Sequence, residues 1–164
     1  MRIWMLVDLE PGYERLHVGD TIEGTTEWCL PHMLPPELIS RNLPARVERV
    51  PARTPGGFDR VAHLGDGVSA LLPPGYPEDG QDTVSGCLLY DRYLGVFHHT
   101  VPTARGRIVR RGWITQLANR TPARYPGWYS VHPSGPPTLW EGGGRIPAER
   151  TVTWDCVLLD TQGC

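Results

Sequence analysis

The chain has 164 residues, 18 acids, 16 arginines in place of any lysine, and a formal net charge of -2, a length that predicts one domain over residues 1–164 with its own core. With 40% hydrophobic and 21% charged residues it reads as a folded globular protein, and no apolar run nears the roughly 20 residues that span a bilayer. In "MRIWMLVDLE" Asp8 and Glu10 interrupt the apolar run before a secretory segment forms, and no small-residue cleavage site follows. The expected location is the cytoplasm, with no membrane partner.

The first strand is predicted in "RIWMLVD", where Ile3, Met5 and Val7 alternate with Trp4 and Leu6 and both faces are apolar. "HVGD" reads as a turn with Gly19 at positive φ. "DTIEGTTEWCL" then forms a half-buried strand, with Ile22, Thr26, Trp28 and Leu30 on one side and Glu23, Thr25 and Glu27 on the other. Pro31, Pro35, Pro36, Pro44, Pro51 and Pro55 forbid long regular structure up to Gly57, apart from a short helix in "PPELISRN" that starts near Pro36.

Further strands are predicted in "PARVERV", "RVAHLGDGVSALL" and "TVSGCLLY", with "PPGYPEDGQD" as a surface loop before the last of these. "DRYLGVFHHTVPTA" is a connection, either a hairpin tip or a lid, into the arginine-rich "RGRIVRRGWITQL". In the closing "RTVTWDCVLLD", Val152, Trp154, Cys156 and Leu158 share a face, and "EGGGR" ahead of it is a flexible tip. Short strands, many Gly and Pro turns and no long amphipathic helix predict a mainly β fold. The expected form is a small antiparallel barrel or sandwich with long Pro/Gly-rich loops and at most one or two short helices.

Charge divides the chain. Residues 1–91 carry net -7, residues 92–140 carry seven arginines and no acid, and residues 141–164 carry net -2. As a regular strand, "RGRIVRRGWITQL" places Arg107, Val109, Arg111, Trp113 and Thr115 on one side and Ile108, Arg110, Gly112, Ile114 and Gln116 on the other. Pairing within the fold, with Glu23, Glu27 or Glu48 opposite arginines, competes with a surface for an anionic ligand or a protein partner. The residues of such a surface are Arg107, Arg110, Arg111, Trp113, Arg124, Tyr125 and Trp128. Arginine among aromatics also suits single-stranded nucleic acid, which is the less favoured partner, and a homodimer is a further option.

Other chemistry is sparse. His98 or His99 is a candidate general base, oriented by Asp91 or Asp82. Cys29 and His32 in "CLPH" have metal-ligand spacing that Cys87, His63 or His99 would complete, but Pro31 stands between them, so no metal is assigned. Hydrolase elbows and Gly-rich phosphate loops are absent, and no cofactor is implied. Cys29, Cys87, Cys156 and Cys164 read as reduced, mostly buried thiols. Trp4, Trp28, Trp113 and Trp154 fall in strands and belong to the core, while Trp128 and Trp140 fall in loops and suit a ligand mouth.

"RIWMLVD", "VGDTIEGTTEW", "VSGCLLYD" and "GRIVRRGWIT" together resemble a family of small actinobacterial β proteins of unknown function, over residues 2–30 and 84–117. The resemblance implies a cytosolic β fold and carries over no activity. Relatives in that family often have paired cysteines after the first strand, where this chain has "EPGYERLH", a departure that speaks against a cysteine-based role. The leading functional expectation is a binding or interaction module with an arginine and aromatic face. The alternative is a small barrel enzyme that holds an organic substrate in its lumen or mouth and uses His98, His99 or Asp91 in proton transfer.

Overall fold

The computed structural model describes residues 1–8, 16–76, 82–141 and 145–162. The expectations for "EPGYERLH", "PPGYPEDGQD", "EGGGR" and Cys164 fall wholly or partly outside them. The protein is mainly β. Its strands are β1 (Arg2–Val7), β2 (Thr21–Cys29), β3 (Ser40–Pro44), β4 (Arg46–Pro51), β5 (Phe58–Gly65), β6 (Val68–Leu71), β7 (Thr83–Tyr90), β8 (Thr103–Pro122), β9 (Tyr129–Glu141) and β10 (Arg150–Asp160). One four-residue helix, α1 (Leu94–Phe97), lies between β7 and β8.

All ten strands join one sheet in the order β3-β7-β1-β10-β8-β2-β6-β5-β4, with β9 on β8 and a further pairing of β7 with β2. That last pairing completes a circuit in which β7, β1, β10, β8 and β2 each bond to two neighbours within it. Two of the pairings, β1 with β7 and β2 with β6, are parallel, which corrects the expectation of an all-antiparallel sheet. Partners so far apart in the chain have ample connection length for the crossover that parallel pairing needs.

The doubly apolar β1 works as its alternation predicts. Ile3, Met5 and Val7 enter an inner cluster with Ile22, Trp28, Leu88, Ile108, Val157 and Leu159. Trp4 and Leu6 face the other way, into an outer cluster with Cys29, Cys87, Cys156, Leu34 and Leu38. Leu34 and Leu38 arrive on the proline-rich segment after β2, which folds over this outer face as two single 3-10 turns, Pro31–Met33 and Pro36–Leu38. The helix expected in "PPELISRN" is therefore one turn, begun by Pro36 and ended when Ile39 extends and β3 pairs with β7.

Gly86 makes the β2–β7 closure possible. Its φ is +143°, and a Cβ there would lie 2.1 Å from the Cys29 carbonyl oxygen, so no L side chain fits without moving a strand. The Trp28 indole donates across the same closure to the Ser85 carbonyl at 3.0 Å.

Two register shifts re-aim side chains that a regular strand would place otherwise. Leu158 opposes Arg110 while Leu159 opposes Ile108, so Val109 is a bulge residue in β8. Arg110 therefore shares a face with Arg107, and Arg111 and Trp113 turn to the inner side with Ile108, which corrects the face assignment made from simple alternation. The second shift, at Thr153, leaves Trp154, Cys156 and Leu158 together on the outer cluster and turns Val152 away from them. Past Leu117, β8 and β9 continue as a two-stranded arm, and every residue from 119 to 133 is exposed except half-buried Ala123. No helix among the described residues is long and apolar enough to cross a membrane.

Candidate functional site

Beside the end of β2 lies a cavity of about 390 Å³, lined by Glu27, Trp28, Phe58, Asp59, Arg60, Leu71, Leu72, Pro73, Pro74, Gly75 and His98. Its walls are mostly apolar, and a few polar groups converge on it, the usual composition of a small-molecule site. Local structure explains each contribution. β2 carries Glu27 on the face opposite the inner cluster, in register with Leu71 of β6 and Leu89 of β7. β5 opens with Phe58 and Asp59, and Arg49 stacks on the Phe58 ring at 3.7 Å to its centroid. α1 ends at His98, whose amide still donates to the Leu94 carbonyl at 2.9 Å, fixing where the imidazole starts.

His98 Nδ1 lies 2.8 Å from Asp59 Oδ2, with side chains 27% and 17% exposed. A carboxylate only accepts hydrogen bonds, so Nδ1 carries a proton, and in the neutral imidazole that leaves the lone pair on Nε2. Burial raises the Glu27 carboxyl above the usual carboxylate range, the Asp91 charge adds to the rise, and His98 offsets part of it. A carboxyl raised by its surroundings thus shares one mostly apolar pocket with an imidazole that a second carboxylate orients, the types of group that acid–base chemistry uses.

Of the expected acid–base set, one residue lines the cavity, one influences a lining carboxyl through its charge, and the third does neither. His98 reaches the cavity, whereas His99 is exposed and outside its lining. Asp91 does not orient His98. Its Oδ1 accepts from the Tyr93 amide at 2.7 Å and its carbonyl from the Leu94 amide at 3.3 Å, so it shapes the turn into α1 and acts on Glu27 through its charge. The orienting carboxylate is Asp59, not Asp91 or Asp82. Neither Asp59 nor the role of Glu27 is marked by any motif, because Asp59 and His98 are 39 residues apart and meet only through folding.

The arginine and aromatic residues are distributed differently from one continuous face. Arg105 pairs with Glu23 at 3.7 Å, the cross-strand partnership anticipated from charge, and Arg110 pairs with Glu141 while lying over Trp4. Arg111 makes a two-pronged contact with Asp155, Nε to Oδ1 at 3.2 Å and NH2 to Oδ2, and donates to the Leu16 carbonyl at 2.6 Å. The other two expected carboxylate partners serve elsewhere: Glu48 binds Arg46 and His63, and Glu27 lines the cavity.

Trp113 is half-buried opposite Trp140, which lies in β9 and not in a loop. Arg107 is exposed, with no carboxylate partner among the described residues, and faces Asp160 of β10, which Arg2 contacts at 3.7 Å. Arg124, Tyr125 and Trp128 sit at the arm tip, far along the chain from the paired arginines.

Cys29 is buried in the outer cluster while His32 is exposed on the adjoining turn, and among the described residues no group of three His, Cys, Asp or Glu side chains is placed to hold a metal. Burial pushes the Cys87 thiol well up and that of Cys156 up to about 12, so both stay protonated and inert. Set against known proteins, the chain matches no family model, no curated protein and no solved structure.

Proposed function

We propose that the chain is a small β-barrel enzyme that moves a proton on an organic substrate held at the barrel mouth, the barrel being the five-strand circuit. The carrying observation is the Asp59–His98 hydrogen bond on the wall of a mostly apolar cavity, beside a carboxyl whose hold on its proton burial strengthens. In this reading His98 Nε2 takes the proton, Asp59 holds the imidazole in the required tautomer, and Glu27 donates to the atom on which negative charge develops. Trp28, Leu71, Leu72 and the Pro73–Pro74 rim exclude water and favour a flat or apolar substrate. The same proposal keeps the chain in the cytoplasm with the small actinobacterial β proteins it resembles.

A nitrobenzisoxazole tests the acid–base pair without knowledge of the natural substrate. The ring C–H proton goes to the base, the N–O bond breaks, a nitrile forms, and the released phenolate oxygen accepts a proton. The wild type is expected to open this ring roughly 100-fold faster than His98→Ala, the lower range for a positioned base, with Asp59→Asn and Glu27→Gln each intermediate. Equal rates for the wild type and His98→Ala, with both proteins folded, overturn the assignment.

A further inference from the structure

We propose that the β8–β9 arm is a binding site for single-stranded nucleic acid, separate from the cavity, in which Arg120 and Arg124 meet phosphates and Tyr125, Trp128 and Tyr129 stack on bases. Three aromatic rings stand in solvent within five residues, with Tyr125 65%, Trp128 71% and Tyr129 61% exposed. They occupy the arm's tip and the first residue of β9, where the Ala123 amide bonds to the Trp128 carbonyl and the Trp128 amide to the Tyr125 carbonyl. Rings this exposed add little to the core and leave flat surfaces open to a ligand.

Charge selects the partner. No carboxylate occurs between Arg92 and Trp140, and the arm's arginines lack the neutralisation that Arg105, Arg110 and Arg111 receive. Arg120 donates to the Ala148 carbonyl, at 3.1 Å, which positions the guanidinium without cancelling its charge. Arg124 has no carboxylate partner among the described residues. A polyanion with planar, unpaired bases matches both features: phosphates complement the arginines, and the rings stack on bases that a duplex would hide. Two arms meeting face to face would bring arginines together with no acid between them, which disfavours a second copy through this surface.

The test uses the full chain and fluorescein-labelled oligodeoxythymidylate of about 15 nucleotides, near the upper site size of small β platforms, followed by anisotropy over a range of salt. Saturable binding is expected, weakening as salt rises. In Arg120→Gln/Arg124→Gln the slope of log affinity against log salt falls by about 1.4, because each phosphate left without its arginine removes roughly 0.7. Trp128→Ala is expected to lose roughly ten-fold or more in affinity while Trp128→Phe keeps most of it, because the ring and not the indole N–H stacks.

Arg105→Gln serves as the control, an exposed but paired arginine whose loss leaves affinity unchanged. No binding at low salt, or equal affinity for the wild type and Trp128→Ala, overturns the proposal. Binding to duplex as tight as to single strand, to anionic vesicles in place of oligonucleotide, or a dimer that Trp128→Ala abolishes without any oligonucleotide binding each overturns it too. Since Arg120, Arg124 and Trp128 lie outside the cavity, proton transfer stays intact in these variants, so the two readings fail separately.

Discussion

Along β8 the arginines meet two different fates. On the sheet body, Arg105, Arg110 and Arg111 each have a carboxylate from a neighbouring strand, Glu23, Glu141 and Asp155, and Arg107, without an ion pair among the described residues, still stands opposite Asp160 of β10. On the arm, Arg120 and Arg124 have none among the described residues, although the same strand carries Arg120 onward. The sheet body has neighbours on both edges, and those neighbours bring the acids of the rest of the chain. Among the described strands the arm pairs with β9 alone, which contributes no acid until Glu141, back at the body, and the turn that meets Ala118 and Arg120 brings Glu149 without a described ion pair to either arm arginine. Charge density in sequence therefore says little about an electrostatic surface until the partners of each strand are known.

The contrast predicts a graded series. Arg111→Met strands the Asp155 carboxylate, only 4% exposed, without its partner, and is expected to cost about 3 to 5 kcal/mol in urea unfolding. Arg111→Met/Asp155→Leu should recover most of that loss, and a double variant as unstable as the single would show the pair to be more than mutual compensation.

Glu27→Gln comes next and depends on pH. The folded state holds the Glu27 proton more tightly than the unfolded chain does, so the associated stability is complete below the ordinary carboxylate pKa and lost as pH rises through the raised value. A glutamine cannot ionise. The variant is expected to melt higher than the wild type at about pH 8, with the gap closing towards about pH 4; a constant gap would mean that Glu27 is not desolvated.

Arg110→Gln breaks a half-exposed pair, its two side chains 56% and 32% exposed, and the expected loss is about 0 to 1 kcal/mol. Arg124→Gln should leave the unfolding midpoint unchanged, the smallest effect in the series, since no carboxylate among the described residues pairs with it. A destabilisation by Arg124→Gln as large as that by Arg110→Gln would erase the distinction between body and arm.

Much of the strand pattern was legible, for reasons that stay local. The double alternation of Ile3, Met5 and Val7 against Trp4 and Leu6 anticipated two clusters, one on each face, and Gly19 takes the positive φ expected of it, +103°. Local pattern failed where one extra residue changed the count. The bulge at Val109 moved Arg111 inward and left Arg110 beside Arg107, and the shift at Thr153 took Val152 off the face of Trp154. A bulge arises from mismatch between two paired strands, so a single strand read by itself carries no sign of it.

The candidate site divides in the same way. His98 stood out because an imidazole suits proton transfer near neutral pH and this one sits in a connection, and Asp91 because it begins that connection. Glu27 read as a solvent-facing residue of a half-buried strand until β6, β7 and α1 closed round it, and Asp59 had no signal at all. Trp140 reads as a loop residue in the sequence because Pro136, Pro137 and the glycines after Glu141 surround it. Those prolines lie in β9, which among the described residues pairs with β8 alone, so ladder hydrogen bonds on the other edge are not required of them.

The sequence by itself determined the β character, the two-faced burial of β1, the turn at Gly19 and the division of charge, because alternation, glycine torsion and residue charge act over a few neighbouring positions. Tertiary structure alone decided which arginines are neutralised, which carboxyl is desolvated and which aspartate meets His98, because each depends on strands brought together from distant parts of the chain, and the strength of a charge is set by what surrounds it.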